Sequence, residues 1–428
     1  MAPIKHVVIV GAGPAGLLLG LMLGQAGIKS TILEAWSTVD KRLRATQYGT
    51  PATRVLRKAG VLEDIRAAGY RNFPSICWRK TSTKEEVARI DLGITRNEED
   101  RITVIPLAQM LEVILEHIKK LPEGICDVRF GHRVVDLGQD EKSAWVDVEV
   151  AAEHGAEQDG EIVGDKEKVR FEGDYVVGCD GGKSTVRKKL FGSEWPGVTH
   201  PHELFVCNVF YDGFDKAGWD GGNYMVDPNH WGLIAKRKPG TPCKPALWRV
   251  TYGDKVGLTQ EEYLKAREDK FRKMLPGAPE PEQYTTEQTD RFKTHNRCVT
   301  SMRVGRVMVA ADAAHVCTPY GGYGCMAGIV DIGGLVECLV GISEGKTDDD
   351  ILTKWSEIRV EKFLRYIGPR SIKNMQRLHK PDVIDEDKFM LILKDLNDKG
   401  QDDMKAFLLK YTSFEHDFTQ YYHTAPAA

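Results

Sequence analysis

Three glycines near the N-terminus have the spacing that a diphosphate-binding loop requires. Gly11, Gly13 and Gly16 form the pattern G-x-G-x-x-G. Ala15 adds another small residue to the same loop. The first glycine allows a tight turn, the second lets a pyrophosphate approach the backbone, and the third lets helix and strand pack closely. The free N–H groups and the dipole at the start of the following helix attract phosphates.

The acid Glu34 stands where the second strand of such a unit would end. Residues 7–10 before the glycines and residues 30–33 before the acid have the apolar, β-branched character of strands. A carboxylate at this point can accept hydrogen bonds from both hydroxyls of an adenosine ribose. The order strand, loop, helix, strand and acid therefore predicts an ADP-containing cofactor. A glycine turn that only packs a helix on a strand is the alternative.

Two later stretches each place an acid after a strand-like run. Asp180 and Gly181 follow one such run, and Asp312 follows another. Since open α/β sheets bind ligands at the carboxyl edge of their strands, both acids are candidate cofactor contacts. For Asp180 the alternative is a cap on the next helix. We predict that His315, in the small-residue segment after Asp312, is a structural histidine and not a catalytic base.

The composition of the 428-residue chain is that of an ordinary globular protein. It has 42% hydrophobic and 28% charged residues and a net charge of −3, which gives no sign of a nucleic-acid partner. The nine cysteines include no C-x-x-C pair, which favours reduced thiols and no metal site. The cofactor strand begins too early to follow a signal peptide, and the apolar runs are too short or too interrupted to span a membrane. We expect a cytoplasmic monomer or homodimer.

The elements that must position these residues divide the chain into three parts. The start has a βα rhythm, whereas strand-like, aromatic-rich segments with Pro and Gly turns follow residue 203. A charged helix is predicted over 260–274 and an apolar one over 326–342. The predicted fold is α/β, with a Rossmann-like cofactor domain, an inserted and mostly antiparallel substrate sheet, and a C-terminal helical region. The predicted limits are 1–70, 106–195 and 296–345 for the cofactor domain, 71–105 and 196–295 for the substrate domain, and 346–428 for the helical region.

Together the three stretches resemble the single-component FAD-dependent aromatic hydroxylases, the group A flavoprotein monooxygenases typified by para-hydroxybenzoate hydroxylase. The resemblance runs from Pro3 to about Arg359. Members carry the N-terminal glycine motif, a central Asp-Gly motif and a late Gly-Asp motif within G-R-V-x-L-x-G-D-A-A-H. The resemblance implies a Rossmann-like FAD-binding domain, NAD(P)H as electron donor, and O₂ as co-substrate. Oxygen would pass through a flavin C4a-hydroperoxide to an aromatic or a polyketide- or alkaloid-like small molecule.

The resemblance also assigns roles to individual residues. It places the N-terminal glycines and Glu34 on the ADP half, Arg44 on the diphosphate side, Asp312 on the ribityl chain and Pro319 beside substrate and flavin. Asp180 and Gly181 would contact both FAD and the nicotinamide donor. The start of the apolar helix would face the flavin pyrimidine ring, where its dipole favours reduced flavin. The implied cofactor set is Gly11, Gly13, Ala15, Gly16, Glu34, Arg44, Asp180, Gly181, Asp312, Gly322, Gly324, Cys325 and Met326.

The chain departs from the family pattern at several positions. Ala311 replaces the usual glycine before the late aspartate, and Leu107 stands where many members have arginine. Tyr323 and Met326 replace amide side chains in the loop G-Q-G-M-N-T-G. These changes leave backbone groups to contact the flavin there. The reactivity of the flavin is therefore expected to differ from that in typical members.

Two arginines are the predicted substrate contacts. Strand alternation places Arg237 on one face of its strand with Trp231, and Arg249 on the matching face of the next strand. Either guanidinium suits a phenolate, carboxylate or carbonyl oxygen. With Pro319 these two residues form the predicted catalytic set, and pairing of both arginines with surface acids is the alternative.

Three functional classes fit the cofactor motifs. A monooxygenase leads, and its outcome stays open among hydroxylation, epoxidation, dearomatisation and Baeyer–Villiger insertion. A flavin-dependent halogenase lacks support because the W-x-W-x-I-P signature is absent. A non-catalytic, redox-sensing flavoprotein is favoured only by the altered flavin-ring loop. Substrate-stimulated NAD(P)H oxidation would separate it from an enzyme.

Overall fold

The computed structural model describes residues 3–69, 73–151, 156–158, 161–163, 166–241, 244–409 and 412–423. Two large sheets organise this part of the chain, one of six strands and one of eight. Helices surround the first sheet, and further helices follow it in the C-terminal part of the chain. The predicted α/β fold class is confirmed.

The six-stranded sheet is parallel except at one edge. Its strands in spatial order are Arg303–Val304, Val307–Val309, Tyr175–Gly178, His6–Val10, Lys29–Leu33 and Cys126–Arg129. The edge strand Arg303–Val304 is the antiparallel one. Val7, Val8 and Ile9 are fully buried, as expected of a parallel strand covered on both faces. Because the central strands run in one direction, the chain segments that follow them meet at one edge of the sheet.

Three helices and a small sheet cover the six-stranded sheet. Helix Pro14–Gln25 packs between helices Leu107–Ile118 and Tyr323–Ser343. A three-stranded antiparallel sheet also packs on the six-stranded sheet. Its strands are His132–Gln139, Ala144–Ala151 and Lys166–Gly173. Helix Tyr323–Ser343 is long and apolar enough to cross a membrane, but 83% of its apolar window is buried inside the molecule. It is a core helix by its packing, and no other helix in the described ranges passes the same test.

Six of the eight strands of the second sheet lie within the limits predicted for the substrate domain, whereas His315–Val316 lies outside them and Thr285–Cys298 extends beyond them. Its strands in spatial order are His315–Val316, Thr285–Cys298, Gly197–Phe210, Leu247–Lys255, Gly232–Lys238, Gly222–Val226, Ser75–Lys80 and Glu86–Asp91. All neighbours are antiparallel except Gly222–Val226 and Ser75–Lys80. Strand Thr285–Cys298 crosses the predicted boundary at 295/296, so the two predicted domains share a continuous strand.

One face of the eight-stranded sheet is closed by a helix, and the other face is turned to the cofactor half. Helix Gln260–Met274 packs on a cluster that contains Trp248 and Phe205. Its bounds are the predicted ones, because a capping box formed by Thr259 and Glu262 starts it. Arg249, next to Trp248 on the same strand, therefore points to the opposite face.

The remaining elements are shorter. The other helices are Thr50–Lys58, Leu62–Ala68, Thr185–Phe191, Gly213–Lys216, Asp350–Lys362, Gly368–Arg377, Lys388–Lys399 and Gln401–Leu409. A π-helical turn, Phe363–Ile367, joins two of the C-terminal helices. Strands Gln47–Tyr48 and Thr103–Val104 pair with each other, as do Ala156–Gln158 and Glu161–Val163. The loop predicted at 151–168 lies partly outside the described residues.

Candidate functional site

The glycine loop after strand His6–Val10 uses its three glycines differently. Gly11 has a φ of +104°, and a Cβ there would lie 2.6 Å from the carbonyl oxygen of Cys179. A Cβ at Gly16 would lie 1.9 Å from the carbonyl oxygen of Gly11. At Gly13 a Cβ would meet nothing within 4 Å. The first and third glycines are thus required by packing, while the second faces open space that a diphosphate can enter.

Glu34 closes the loop from the next strand. One of its carboxylate oxygens, Oε2, accepts the N–H of Ala12 at 2.7 Å, and the other accepts the N–H of Trp36 at 3.0 Å. Burial raises the pKa of this carboxyl, and the backbone donors oppose that effect. Each oxygen keeps a second acceptor position, so the side chain can still bind the two hydroxyls of a ribose.

Asp180 caps the helix that follows it. Its carboxylate accepts the hydroxyl of Ser184 at 2.5 Å and the N–H of Thr185 at 2.6 Å. The alternative weighed from the sequence, a helix cap, is therefore what this side chain does. Gly181 has a φ of +76° and nothing within 4 Å of a Cβ position. The backbone at 180–181 is thus the group that faces open space, and a contact from the carboxylate itself to cofactor or donor stays a prediction.

Arg44 lies on the loop that leads from Glu34 to the second sheet. Its guanidinium is 3.5 Å from the carboxylate of Asp40 and is about one-third exposed. Burial lowers its pKa, and the charges of Asp40, Asp290 and Asp312 act against that shift. Arg44 is thus near enough to Asp312 for their charges to interact. The sheet edge that carries Gly13, Glu34, Asp312 and Gly322 is called the groove below.

Asp312 sits on a tight turn, Ala311–Ala313, after strand Val307–Val309. Among the described residues, none donates a hydrogen bond to its side chain, and the residue is solvent-exposed. The surrounding protein raises the pKa of its carboxyl. A free carboxylate at this edge suits hydroxyl donors, and the hydroxyls of a ribityl chain are of that kind.

The turn itself is unusual because a non-glycine residue adopts a left-handed conformation. Ala311 has a φ of +55°. This is the position at which the family pattern has glycine, which takes that conformation freely. The N–H of Ala311 donates to Oδ2 of Asp331 at 3.1 Å.

Helix Tyr323–Ser343 begins three residues before the predicted start at 326. Gly322 is its N-cap, with a φ of +69°, and the atom nearest to a Cβ there would be the carbonyl oxygen of Gln47 at 3.8 Å. Gly324 is similarly open, with only the Sγ of Cys317 at 3.8 Å. The free N–H groups of the first helical turn therefore face the groove and carry the positive end of a 21-residue helix.

The side chains that replace the family's amides turn into the protein. The ring of Tyr323 packs edge-on against Phe414 at 5.4 Å. Met326 is buried, and its sulfur lies against Gly49. Burial raises the pKa of the Cys325 thiol to about 12, so it is protonated at neutral pH. The backbone thus supplies the polar groups at this helix start, as expected from the sequence.

The two predicted substrate arginines lie close together in the protein interior. Arg237 is 9% exposed and Arg249 7% exposed, and neither forms an ion pair with any residue that the structure describes. The sequence alternative, pairing with surface acids, is therefore wrong. Burial lowers the pKa of both guanidinium groups, and the charge of Arg249 lowers that of Arg237 further.

Their hydrogen bonds differ. Nη1 of Arg249 donates to the carbonyl oxygen of Arg44 at 2.7 Å, and its Nε lies 3.4 Å from Oδ1 of Asn208. Nε and Nη1 of Arg237 are buried and have no partner in the described structure. Arg249 thus ties the substrate sheet to the cofactor loop, while Arg237 has donors left for a ligand.

Tyr48 is a third polar residue near the two arginines, and the sequence analysis missed it. It is fully buried, and within the described ranges its hydroxyl makes only a long contact of 3.4 Å, to the carbonyl oxygen of Ala45. Burial raises its pKa, and the charges of Arg249 and Arg237 act in the opposite direction. Its position on a two-residue strand shortly after Arg44 carries no pattern that could have singled it out.

Aromatic side chains cluster elsewhere on the eight-stranded sheet and next to it. The rings of Trp231 and Tyr320 lie 5.5 Å apart, and Tyr224 stacks on Trp78 at 5.3 Å. Pro319, which precedes Tyr320, is exposed, and its contact with substrate and flavin stays a prediction. The side of the eight-stranded sheet that is turned to the cofactor half therefore combines two buried arginines with an aromatic wall that suits contact with an aromatic ring.

His315 has the structural role that was predicted for it. Its Nε2 lies 2.7 Å from Oδ2 of Asp331, and Nε of Arg359 donates to Oδ1 at 2.6 Å. All three side chains are essentially fully buried. Asp331 and Arg359 were missed from the sequence, because an acid inside an apolar helix and an arginine in a charged one give no sign of pairing.

Comparison with known proteins finds similar proteins over most of the chain. A family model described as an FAD binding domain matches residues 5–363. The chain is 32% identical over 384 residues to para-nitrophenol 4-monooxygenase of Pseudomonas sp. (strain WBC-3), covering 89% of each chain. It is also 32% identical over 379 residues to 6-hydroxy-3-succinoylpyridine 3-monooxygenase of Pseudomonas putida (strain DSM 28022 / S16), covering 88% of this chain and 89% of the relative. The crystal structure of p-nitrophenol 4-monooxygenase from Pseudomonas putida DLL-E4 matches with a TM-score of 0.83 and 29% identity, covering 97% of this chain and 99% of that one.

Proposed function

Because the chain belongs to the family of FAD-dependent aromatic monooxygenases, we propose that it oxygenates a hydroxylated aromatic ring at the carbon para to the hydroxyl group. FAD is the cofactor, and NAD(P)H is the electron donor typical of the family. The proposal concerns the substrate class and the position of attack.

The names of two relatives support attack at a para carbon that already carries a substituent. C4 of para-nitrophenol bears the nitro group, and C3 of 6-hydroxy-3-succinoylpyridine bears the succinoyl group. In both rings this carbon lies opposite the one that carries the hydroxyl. A shared position of attack in two relatives of equal similarity favours the same position here.

The observation that carries the proposal is the unpartnered guanidinium of Arg237. Ionising a phenol raises the electron density at its para carbon, so an enzyme that oxygenates this carbon benefits from binding the phenolate. Two buried N–H donors on a planar cation suit a phenolate oxygen. The neighbouring charge of Arg249 and the low local polarity strengthen the attraction and lower the pKa of a bound phenol.

The residues around the groove fit FAD. The open space at Gly13 can receive the diphosphate, Glu34 the ribose, Asp312 the ribityl chain, and the start of helix Tyr323–Ser343 the flavin ring. When bound, FAD takes a hydride from NAD(P)H and activates O₂ for transfer of one oxygen atom to the substrate. The aromatic wall at Trp231 excludes water from that reaction.

A panel of substituted phenols tests the proposal. Para-substituted phenols should stimulate NAD(P)H consumption and give a product with one oxygen from labelled O₂ at the para carbon. The substituent should leave that carbon with the electron pair of the broken bond, and the ring should be released as the quinone or, after further reduction, the hydroquinone. Meta-substituted isomers should stimulate consumption less and yield less product. Equal turnover of both sets, or a label at another carbon, would contradict the para assignment.

Substitution of Arg237 tests its role. Arg237→Met should raise KM by roughly 10- to 100-fold, the scale of a lost charge-assisted hydrogen bond. It should also divert NAD(P)H oxidation to hydrogen peroxide, because a misplaced substrate is not oxygenated. Lys236→Met is the matched control, since Lys236 is the neighbouring cation, lies on the opposite face and pairs with Asp215. Unchanged KM and coupling in Arg237→Met would refute this role.

The assembly, location and domain limits are part of the same proposal. We expect a cytoplasmic monomer or homodimer with the three predicted domains, because the composition is ordinary and the apolar helix is internal. Light scattering of the FAD-loaded protein would test the oligomeric state.

A further inference from the structure

The carboxylate of Asp331 lies behind the turn that carries Asp312. It is on helix Tyr323–Ser343 and is fully buried. Burial alone would raise its pKa, but the adjacent His315 and Arg359 lower it. The side chain is thus a buried anion that no step of the proposed reaction uses.

This anion is held from several segments of the chain. Arg359, on helix Asp350–Lys362, also donates from Nη1 to the carbonyl oxygen of Phe414 at 2.5 Å. Nε1 of Trp355 donates to the carbonyl oxygen of Asp331 at 3.0 Å. The ring of His315 stacks on Phe363 at 4.7 Å. A charged group with this many fixed partners has one position, and it can therefore serve as a rigid support.

The feature that needs support is the conformation of Ala311. A φ of +55° is unfavourable for alanine and persists only where the surroundings impose it. The contact behind the turn is also close, since a Cβ at Gly328 would lie 2.6 Å from the Cβ of Ala311. The hydrogen bond from the Ala311 N–H to Oδ2 of Asp331 fixes the peptide in this orientation.

We propose that Asp331 is a positioning residue for the cofactor. Supported by His315 and Arg359, it holds Ala311 in the left-handed conformation, and this conformation presents the carboxylate of Asp312 to the groove. Where glycine stands before the late aspartate, the turn adopts this conformation without such a support, because glycine takes a positive φ freely. In this chain the alanine makes the aim of Asp312 depend on Asp331.

A double-mutant cycle between positions 311 and 331 tests this dependence. Asp331→Asn leaves one acceptor oxygen, which cannot serve Arg359 and Ala311 together, so the dissociation constant of FAD should rise about ten-fold. Ala311→Gly alone should change it by less than about three-fold, because glycine adopts the same φ freely. With both changes, the loss caused by Asp331→Asn should shrink to less than about three-fold.

The measurement is FAD binding to the apoprotein, followed by flavin fluorescence without substrate. Failure of the proposed substrate class would therefore leave the result unaffected. Thermal unfolding of each apoprotein is measured in parallel. Leu339→Ala is the control, because Leu339 is fully buried on the same helix but far along it from the turn. It should lower the unfolding temperature and leave the dissociation constant unchanged.

A second variant covers the case in which Asp331→Asn does not fold. His315→Gln keeps the pair of Asp331 and Arg359 and removes one support of the carboxylate. It should raise the dissociation constant about five-fold, and in the Ala311→Gly background the rise should fall below about two-fold. Equal losses with alanine and glycine at 311, or loss of stability with unchanged FAD affinity, would overturn the proposal.

Discussion

Two carboxylates stand at the same edge of the same sheet and are held in opposite ways. Glu34 is fixed by N–H donors from Ala12 and Trp36, which belong to its own βαβ unit. Asp312 receives no donor from the described residues, and its turn is fixed from behind by Asp331. The part of the groove predicted to bind the nucleotide is therefore built locally, and the part predicted to bind the ribityl chain is assembled from distant segments.

This difference explains which half a sequence reveals. A local unit leaves a compact signature, because every residue that it needs falls within a few dozen positions. A site held by Asp331 and Arg359 leaves none, since its members are spread over separate helices. The following changes probe the contrast, beginning with the largest expected effect.

Gly16→Ala and Gly13→Ala should separate packing from ligand binding within one loop. A Cβ at position 16 would lie 1.9 Å from a carbonyl oxygen, so that variant should lose about 3 kcal/mol or more of stability. Gly13→Ala should fold normally and bind FAD more weakly, because its Cβ enters open space. Flavin content and apoprotein unfolding distinguish the two variants. Normal FAD binding by Gly13→Ala would show that the diphosphate does not bind at Gly13.

Glu34→Ala and Asp312→Ala should weaken FAD binding to a similar degree, by roughly 1.5–3 kcal/mol each. Their effects on the apoprotein should differ. Removing Glu34 strands two backbone donors and should reduce the free energy of unfolding by about 1–2 kcal/mol, whereas removing Asp312 strands none. Titration with FAD and urea unfolding give the two quantities. Equal losses of apoprotein stability would show that the two carboxylates are held alike.

The pH dependence of apoprotein stability should identify Asp312 as the unsupported acid. Its pKa is raised by burial, so the folded state holds this proton more tightly than the unfolded chain does. Its contribution is fully present below the ordinary pKa of aspartate and is lost as pH rises through the raised value. Asp312→Asn should therefore gain stability relative to the wild type as pH increases. A difference in the free energy of unfolding between Asp312→Asn and the wild type that stays constant with pH would contradict this prediction.

Ser184→Ala should have the smallest effect. Ser184 supports the helix start that Asp180 caps, so the variant should lose about 1 kcal/mol of stability. FAD affinity should stay the same, because neither hydrogen bond of this hydroxyl reaches the groove. A large fall in FAD affinity would mean that the cap also shapes the cofactor site.

Much of the fold was readable because its signals are local. The charged segment 260–274 was predicted as a helix with the observed bounds, and strand alternation placed Arg237 and Arg249 on one face. The start of helix Tyr323–Ser343 was missed because glycines at 322 and 324 give this segment the sequence pattern of a loop. Tyr48 and Asp331 were missed because their importance comes from residues far away in the chain.

The order of strands in the six-stranded sheet has a consequence for biosynthesis. Val10 emerges early, but Gly178, its partner on one side, is made much later, and Val309 completes the row later still. At roughly 5–20 residues per second, the first of these waits lasts on the order of ten to thirty seconds. During that time an apolar strand has an open edge, which is a template for pairing with another nascent chain. Co-expression with a chaperone that covers this edge should therefore improve the yield of folded protein.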